Sequence, residues 1–193
     1  MFKVIDGGFE PVRSTKYSAY VDLFAREDCT IGAGETKIVK LGVKLDLELF
    51  KENNIDNFSR GIYGGSLGFV DSEFDEDFFN EFLSSHYLEV ALRSSLGVKG
   101  LIIANGIGII DLDYPDEIGL IVHNPIRENF ISNLICKMMG RKSHHYNQSP
   151  FEIKKGDKVA QCTLKEHRGY LMGYKSDTIR DGGFGSTGLW HTI

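Results

Sequence analysis

Apolar and polar residues alternate most clearly across residues 36–47, where Ile38, Val39, Leu41, Val43, Leu45 and Leu47 stand mostly at every second position. Period two predicts a half-buried β-strand. Shorter apolar runs, most of them rich in β-branched residues or leucine, cover 89–92, 101–104, 107–110, 118–122 and 159–164. Each predicts a further strand. The dipeptide Asn105-Gly106 separates two of these runs, and both of its residues accept positive φ, so a tight β-hairpin is predicted there. Two stretches break the pattern. Ser72-Glu73-Phe74-Asp75 has the form of a capping box, and Phe74, Phe78, Phe79 and Phe82 recur at helical spacing. Phe130, Ile131, Leu134, Ile135, Met138 and Met139 do the same, with Gly140 as a C-cap. Each predicts one amphipathic helix inside a longer connection, its apolar stripe turned to the core.

Composition supports the β reading. Among 193 residues there are 22 glycines and only 4 prolines, and the apolar runs are short, which favours a turn-rich, mainly β domain over a helical bundle. A net charge of -5 argues against a nucleic-acid polymer as partner, since such proteins carry a basic face. It leaves room for a small anion held by a few local cations. Cys29, Cys136 and Cys162 lie far apart and are odd in number, which predicts free thiols in a reducing cytoplasm. No signal-peptide pattern opens the sequence, and the longest uncharged apolar run, 101–110, is too short to span a membrane.

Residues 181–188, Asp-Gly-Gly-Phe-Gly-Ser-Thr-Gly, make a glycine-rich tail. Ordering eight such residues costs on the order of 10 kcal/mol. The tail is therefore expected to be mobile until something binds it. Its N–H groups and the Ser186 and Thr187 hydroxyls suit phosphate oxygens. No lysine follows the glycines, so it is not a P-loop.

Five short motifs occur in order: Ala19-Tyr20-Val21-Asp22-Leu23-Phe24-Ala25, Arg93-Ser94-Ser95-Leu96, Gly108-Ile109-Ile110-Asp111-Leu112-Asp113-Tyr114, Gly156-Asp157-Lys158-Val159-Ala160-Gln161 and Gly182-Gly183-Phe184-Gly185-Ser186-Thr187-Gly188. The set resembles the signature of the trimeric dUTPases. That resemblance implies a jelly-roll-like β-clip fold, in which the two helical stretches above stand as short insertions. It also implies a homotrimer with sites at subunit interfaces, Mg²⁺, and cleavage of dUTP to dUMP and pyrophosphate. Asp111 would be the general base for the attacking water; by itself it reads as a turn aspartate. Tyr114 would pack on the deoxyribose and leave no room for a 2′-hydroxyl. Asn105 and the backbone at Gly106 would read uracil and exclude a 5-methyl group, because an amide offers both donor and acceptor. Arg93, Ser94, Ser95 and Gln161 would bind the phosphates. Asp22 would act on Mg²⁺ through water, with a structural role nearly as plausible. Phe184 would stack on the base, worth ~1–3 kcal/mol. Gly185, Ser186, Thr187 and Arg180 would meet phosphate as the arm closes.

The sequence also departs from this family. Tyr20 stands where glycine is usual, Asp116 likewise, and Arg180 is one residue nearer Phe184 than the family's arginine. Within one domain, 1–193, residues 50–87 and 125–150 read as insertions and 176–193 as the arm. The insertions are expected to pack outside the trimer or to bind a partner. His144-His145 reads as a solvated loop, since adjacent residues rarely aim at one ion. A dCTP deaminase shares the fold and an Arg-Ser-Ser motif, but carries a glutamate three residues before an asparagine; here Ile121 stands before Asn124. A regulatory or binding protein on the same scaffold is the alternative outside enzymes.

Overall fold

The computed structural model describes residues 1–63, 69–126, 138–139 and 150–173. In chain order these form β1 (Phe2–Val4), β2 (Val21–Phe24), β3 (Cys29–Ile31), β4 (Thr36–Lys40) and β5 (Val43–Leu45). Helix α1 (Leu47–Glu52) and a 3₁₀ turn at Ile55–Phe58 follow, then β6 (Ser59–Tyr63), β7 (Phe69–Phe74) and α2 (Glu76–Ser85). Next come β8 (His86–Leu92), α3 (Ser94–Val98), β9 (Ile102–Ile103), β10 (Gly108–Asp111) and β11 (Gly119–His123). Last are β12 (Phe151–Ile153), β13 (Lys158–Glu166) and a 3₁₀ turn at Gly169–Met172.

The strands build small antiparallel sheets around a shared core. One sheet runs β10-β8-β13-β2, another β4-β11-β9, and β1-β5, β12-β3 and β6-β7 are pairs. Alternation sets the inward face of each: Leu88 and Val90 on β8, Ala160 and Cys162 on β13, Val39 on β4, and Leu120 and Val122 on β11 are all buried in one cluster. Burial pushes the Cys162 thiol up to about 12.

The alternating stretch at 36–47 divides into two strands. Gly42 breaks it with φ 68°, and a methyl built on Gly8 would stand 2.1 Å from the Gly42 carbonyl oxygen. Two glycines thus let two backbones touch there, and the Ile5 N–H donates to that same oxygen at 3.0 Å. Leu47, expected at the end of the strand, instead opens α1, because the Asp46 carboxylate accepts from the Leu49 N–H at 2.9 Å and caps a helix. The helix expected after Ser72 is present but begins later. Asp75 is its cap, accepting from Phe78 N–H at 2.9 Å, while Ser72, Glu73 and Phe74 belong to β7. Phe50, Phe58 and Phe79 are buried in a second cluster, with Phe74, Phe82, Leu83 and Leu164 against it. Phe82, Leu83 and Leu164 also touch the main core, so α1, the 3₁₀ turn and α2 are seated on the domain by shared side chains.

The turn at Asn105-Gly106 forms, with Gly106 at φ 76°, but the strands beside it do not pair with each other. β9 pairs β11, and β10 pairs β8. The expected hairpin is a corner between two sheets. The helix expected near Phe130 to Gly140 lies outside the described residues except for Met138 and Met139, which are exposed. His144-His145 and the tail are likewise outside them.

Candidate active site

Because β9 and β10 diverge, a wedge opens between the two sheets. It holds a cavity of about 140 Å³ lined by residues that include Asn105, Gly108, Ile110, Tyr114, Leu120 and Ile121. The turn is held by Gly106 N–H to Ile103 O at 3.3 Å, Ile107 N–H to Asn105 O at 2.9 Å and Ala104 N–H to Ile121 O at 2.9 Å. Tyr114 is buried, and its hydroxyl donates to the Glu117 carbonyl at 3.4 Å. Asp111 is the last residue of β10, exposed, and follows Ile110 of the cavity wall directly. Its carbonyl accepts from the Tyr114 N–H at 3.0 Å, which ties both ends of the Asp111–Tyr114 turn together. Two expected residues, Asn105 and Tyr114, therefore line one cavity, and Asp111 directly follows its wall along the chain. Ile121 contributes an apolar wall where a deaminase would need a carboxylate.

The remaining described residues gather elsewhere. On the outer row of the four-stranded sheet, Gln161 lies opposite Asp22 and Ala91. Arg93 follows β8, anchored by its N–H to Val159 O at 3.1 Å, and Ser94 and Ser95 begin α3 in exposed positions. Arg93 is ion-paired to Asp22 through NH1 and Oδ1. Lys158 Nζ reaches the other oxygen at 2.9 Å, and the Ser14 hydroxyl donates to it at 2.6 Å. Neither Lys158 nor Ser14 was expected in the site. Lys158 stands inside a motif read from the sequence, but nothing there signalled its contact with a residue 136 positions away.

Tyr20, at the position where glycine is usual, turns its hydroxyl to Glu89, and the Tyr87 hydroxyl donates to that carboxylate at 3.3 Å. The bond to Glu89 holds the Tyr20 phenol above its ordinary range.

Among the described residues, no three His, Cys, Asp or Glu side chains converge as metal ligands. Asp22 has about 5% of its side chain exposed and both oxygens engaged by cations or a hydroxyl. It does not fit a direct ligand of Mg²⁺. Arg180, Phe184, Gly185, Ser186 and Thr187 lie outside the described residues.

No protein-family model matches the chain. A deoxyuridine 5′-triphosphate nucleotidohydrolase of Rickettsia felis is 28% identical over 189 residues, covering 94% of this chain and 90% of its own. The dUTPase of Staphylococcus bacteriophage 80alpha, solved as a point mutant with dUpNHpp, superposes with a TM-score of 0.54 at 17% identity, covering 98% of each chain. A mutant dUTPase from phage phi11 of S. aureus, whose structure details coordination of a structural Mg(II) ion, gives 0.52 at 15% identity, covering 96% of this chain and 98% of its own. The architecture is thus the mainly β, jelly-roll-like β-clip. With sequence likeness over nearly the whole of both chains, this protein is similar in sequence and in fold to the dUTPases.

Proposed function

We propose that the chain hydrolyses dUTP to dUMP and pyrophosphate, with Asp111 as general base. The carrying observation is the cavity shared by Asn105 and Tyr114, with Asp111 directly following its wall along the chain. Uracil enters between the sheets and exchanges hydrogen bonds with the Asn105 amide and the Gly106 backbone. Tyr114 lies under the deoxyribose. A water held by the Asp111 carboxylate attacks the α-phosphorus, the proton passes to Asp111, and pyrophosphate leaves. The substrate is taken as its Mg²⁺ complex, since Mg²⁺ prefers phosphate oxygens and its own waters. Any contribution of Asp22 to that ion runs through coordinated water.

The phosphate contacts come from Arg93, Ser94, Ser95 and Gln161, and their position argues for sites shared between copies, in keeping with the homotrimer that the resemblance to the trimeric dUTPases implies. Asp111 pairs with Tyr87, and Arg93 lies six residues further along the chain, just past the end of β8. At ~3.3 Å per residue that is roughly 20 Å, so one bound triphosphate cannot meet both within one chain. The base of one copy faces the phosphate-binding group of another. Residues 176–193 then act as an arm that brings Arg180, Phe184, Gly185, Ser186 and Thr187 over the substrate, within a single domain bearing insertions at 50–87 and 125–150. Free, reduced cysteines suit a cytoplasmic enzyme.

Pyrophosphate release from dUTP, dCTP, dTTP and UTP with Mg²⁺ tests this reading. Cleavage is expected for dUTP and to be far weaker for the other three; equal cleavage of all four, or ammonia release from dCTP, would reverse it.

A further inference from the structure

Lys158 has no role in the reading above, yet the backbone is distorted to present it. β13 carries a bulge between Lys158 and Ala160: Ala160 lies opposite Leu23, while Lys158 lies opposite Phe24. In a regular ladder the two would share a face. The bulge re-aims Lys158 to the face that carries Asp22, where its ammonium sits 2.9 Å from Asp22 Oδ2 and 3.1 Å from Ser14 Oγ. The same ammonium lies 5.8 Å from the Phe24 ring centroid.

We propose that Lys158 is a positioning residue for recognition of the phosphate chain. By holding Oδ2 of the buried Asp22, it leaves Oδ1 committed to Arg93 and fixes the guanidinium that meets the triphosphate. The inference rests on the proposed function and deepens it. A buried carboxylate is costly unless paired and hydrogen-bonded, so Asp22 takes what cations it is offered. Without Lys158, Arg93 would be drawn to satisfy both oxygens. With Lys158 and Ser14 on Oδ2, only NH1 of Arg93 is engaged by Asp22. Among the described residues, no other carboxylate engages the rest of its planar donor fork, which suits phosphate oxygens, and the arginine side chain is 28% exposed. Two cations against one carboxylate leave one positive charge in excess, which suits an anionic ligand in a chain of net charge -5.

The test compares KM and kcat for Mg²⁺-dUTP with inhibition by deoxyuridine, which has no phosphate. Lys158→Met is expected to raise KM by about tenfold or more, from loss of a charge-assisted contact, with a smaller change in kcat and none in deoxyuridine inhibition. Lys158→Arg should restore KM. In an Arg93→Gln background, Lys158→Met should add nothing. Ser14→Ala, a change at an exposed serine, should raise KM in the same direction by a smaller factor, and it carries the test if Lys158→Met does not fold. An unchanged KM in both variants, an equal loss of deoxyuridine inhibition, or a full additive effect without Arg93 would overturn the inference. If the unaltered chain fails to cleave dUTP, the proposed function falls, and this inference with it.

Discussion

At the scale of single residues, side-chain chemistry is decided by burial and partners. Cys162 is 1% exposed on β13, and its thiol is pushed up to about 12 by desolvation. The thiolate is the reactive form, so iodoacetamide at pH 8 is expected to modify Cys162 only after unfolding. Peptide mass mapping with and without denaturant reads this directly, and labelling of Cys162 in the native chain would contradict the packing. Its buried neutral thiol also makes the fold less stable as pH rises from about 9, the ordinary thiol value, towards about 12, because only the unfolded chain can then lose the proton. Gly42 is a backbone case. At φ 68° and 2.5 Å from the Gly8 Cα for an added methyl, Gly42→Ala should lower stability by about 1–3 kcal/mol, read as a fall in denaturation midpoint. Asn105, Asp111 and Tyr114 were legible in sequence because they lie within ten residues of one another in a fixed pattern. The Asp22 network was not, because Ser14, Arg93 and Lys158 come from separate segments and meet only through strand pairing.

At the scale of elements, periodic segments were legible and short ones were not. Residues 159–164 alternate and lie within β13, a nine-residue strand paired on both sides. By contrast β1, β3 and β12 have three residues each, too few for any period, and exist because a partner supplies hydrogen bonds. Asn105-Gly106 correctly marked a turn, but local turn chemistry carries no information on which strands the flanking residues join. The corner it makes, rather than a hairpin, is what opens the cavity. The phenylalanine stripe foretold α2 but not the cluster beneath it, where Phe58 meets the rings of Phe79 and Phe82 at 5.1 and 5.2 Å between centroids. Phe58 is 5% exposed, so Phe58→Ala should cost ~3–5 kcal/mol. Chemical denaturation measures it, and a loss near zero would mean that α1, the 3₁₀ turn and α2 are not seated as described.

At the scale of the whole molecule, the fold is one shared with dUTPases, and the proposed site draws on residues too far apart to meet within one chain. Asp111, on β10, lies opposite Tyr87 near the start of β8, whereas Arg93 follows the far end of β8. Mixing inactive Asp111→Asn and Arg93→Gln chains, unfolded and refolded together, should therefore restore part of the activity through sites that draw each intact residue from a different copy. Mixtures as inactive as either parent would argue against shared sites. The proposed chemistry depends most directly on the Asp111 carboxylate. Pyrophosphate release from Mg²⁺-dUTP by the unaltered chain and by Asp111→Asn, with binding of a non-hydrolysable dUTP analogue followed in parallel, isolates it. The account predicts retained binding with a rate lower by ~10²–10⁴-fold in the variant. Undiminished cleavage by Asp111→Asn, or binding without cleavage by the unaltered chain, would contradict it.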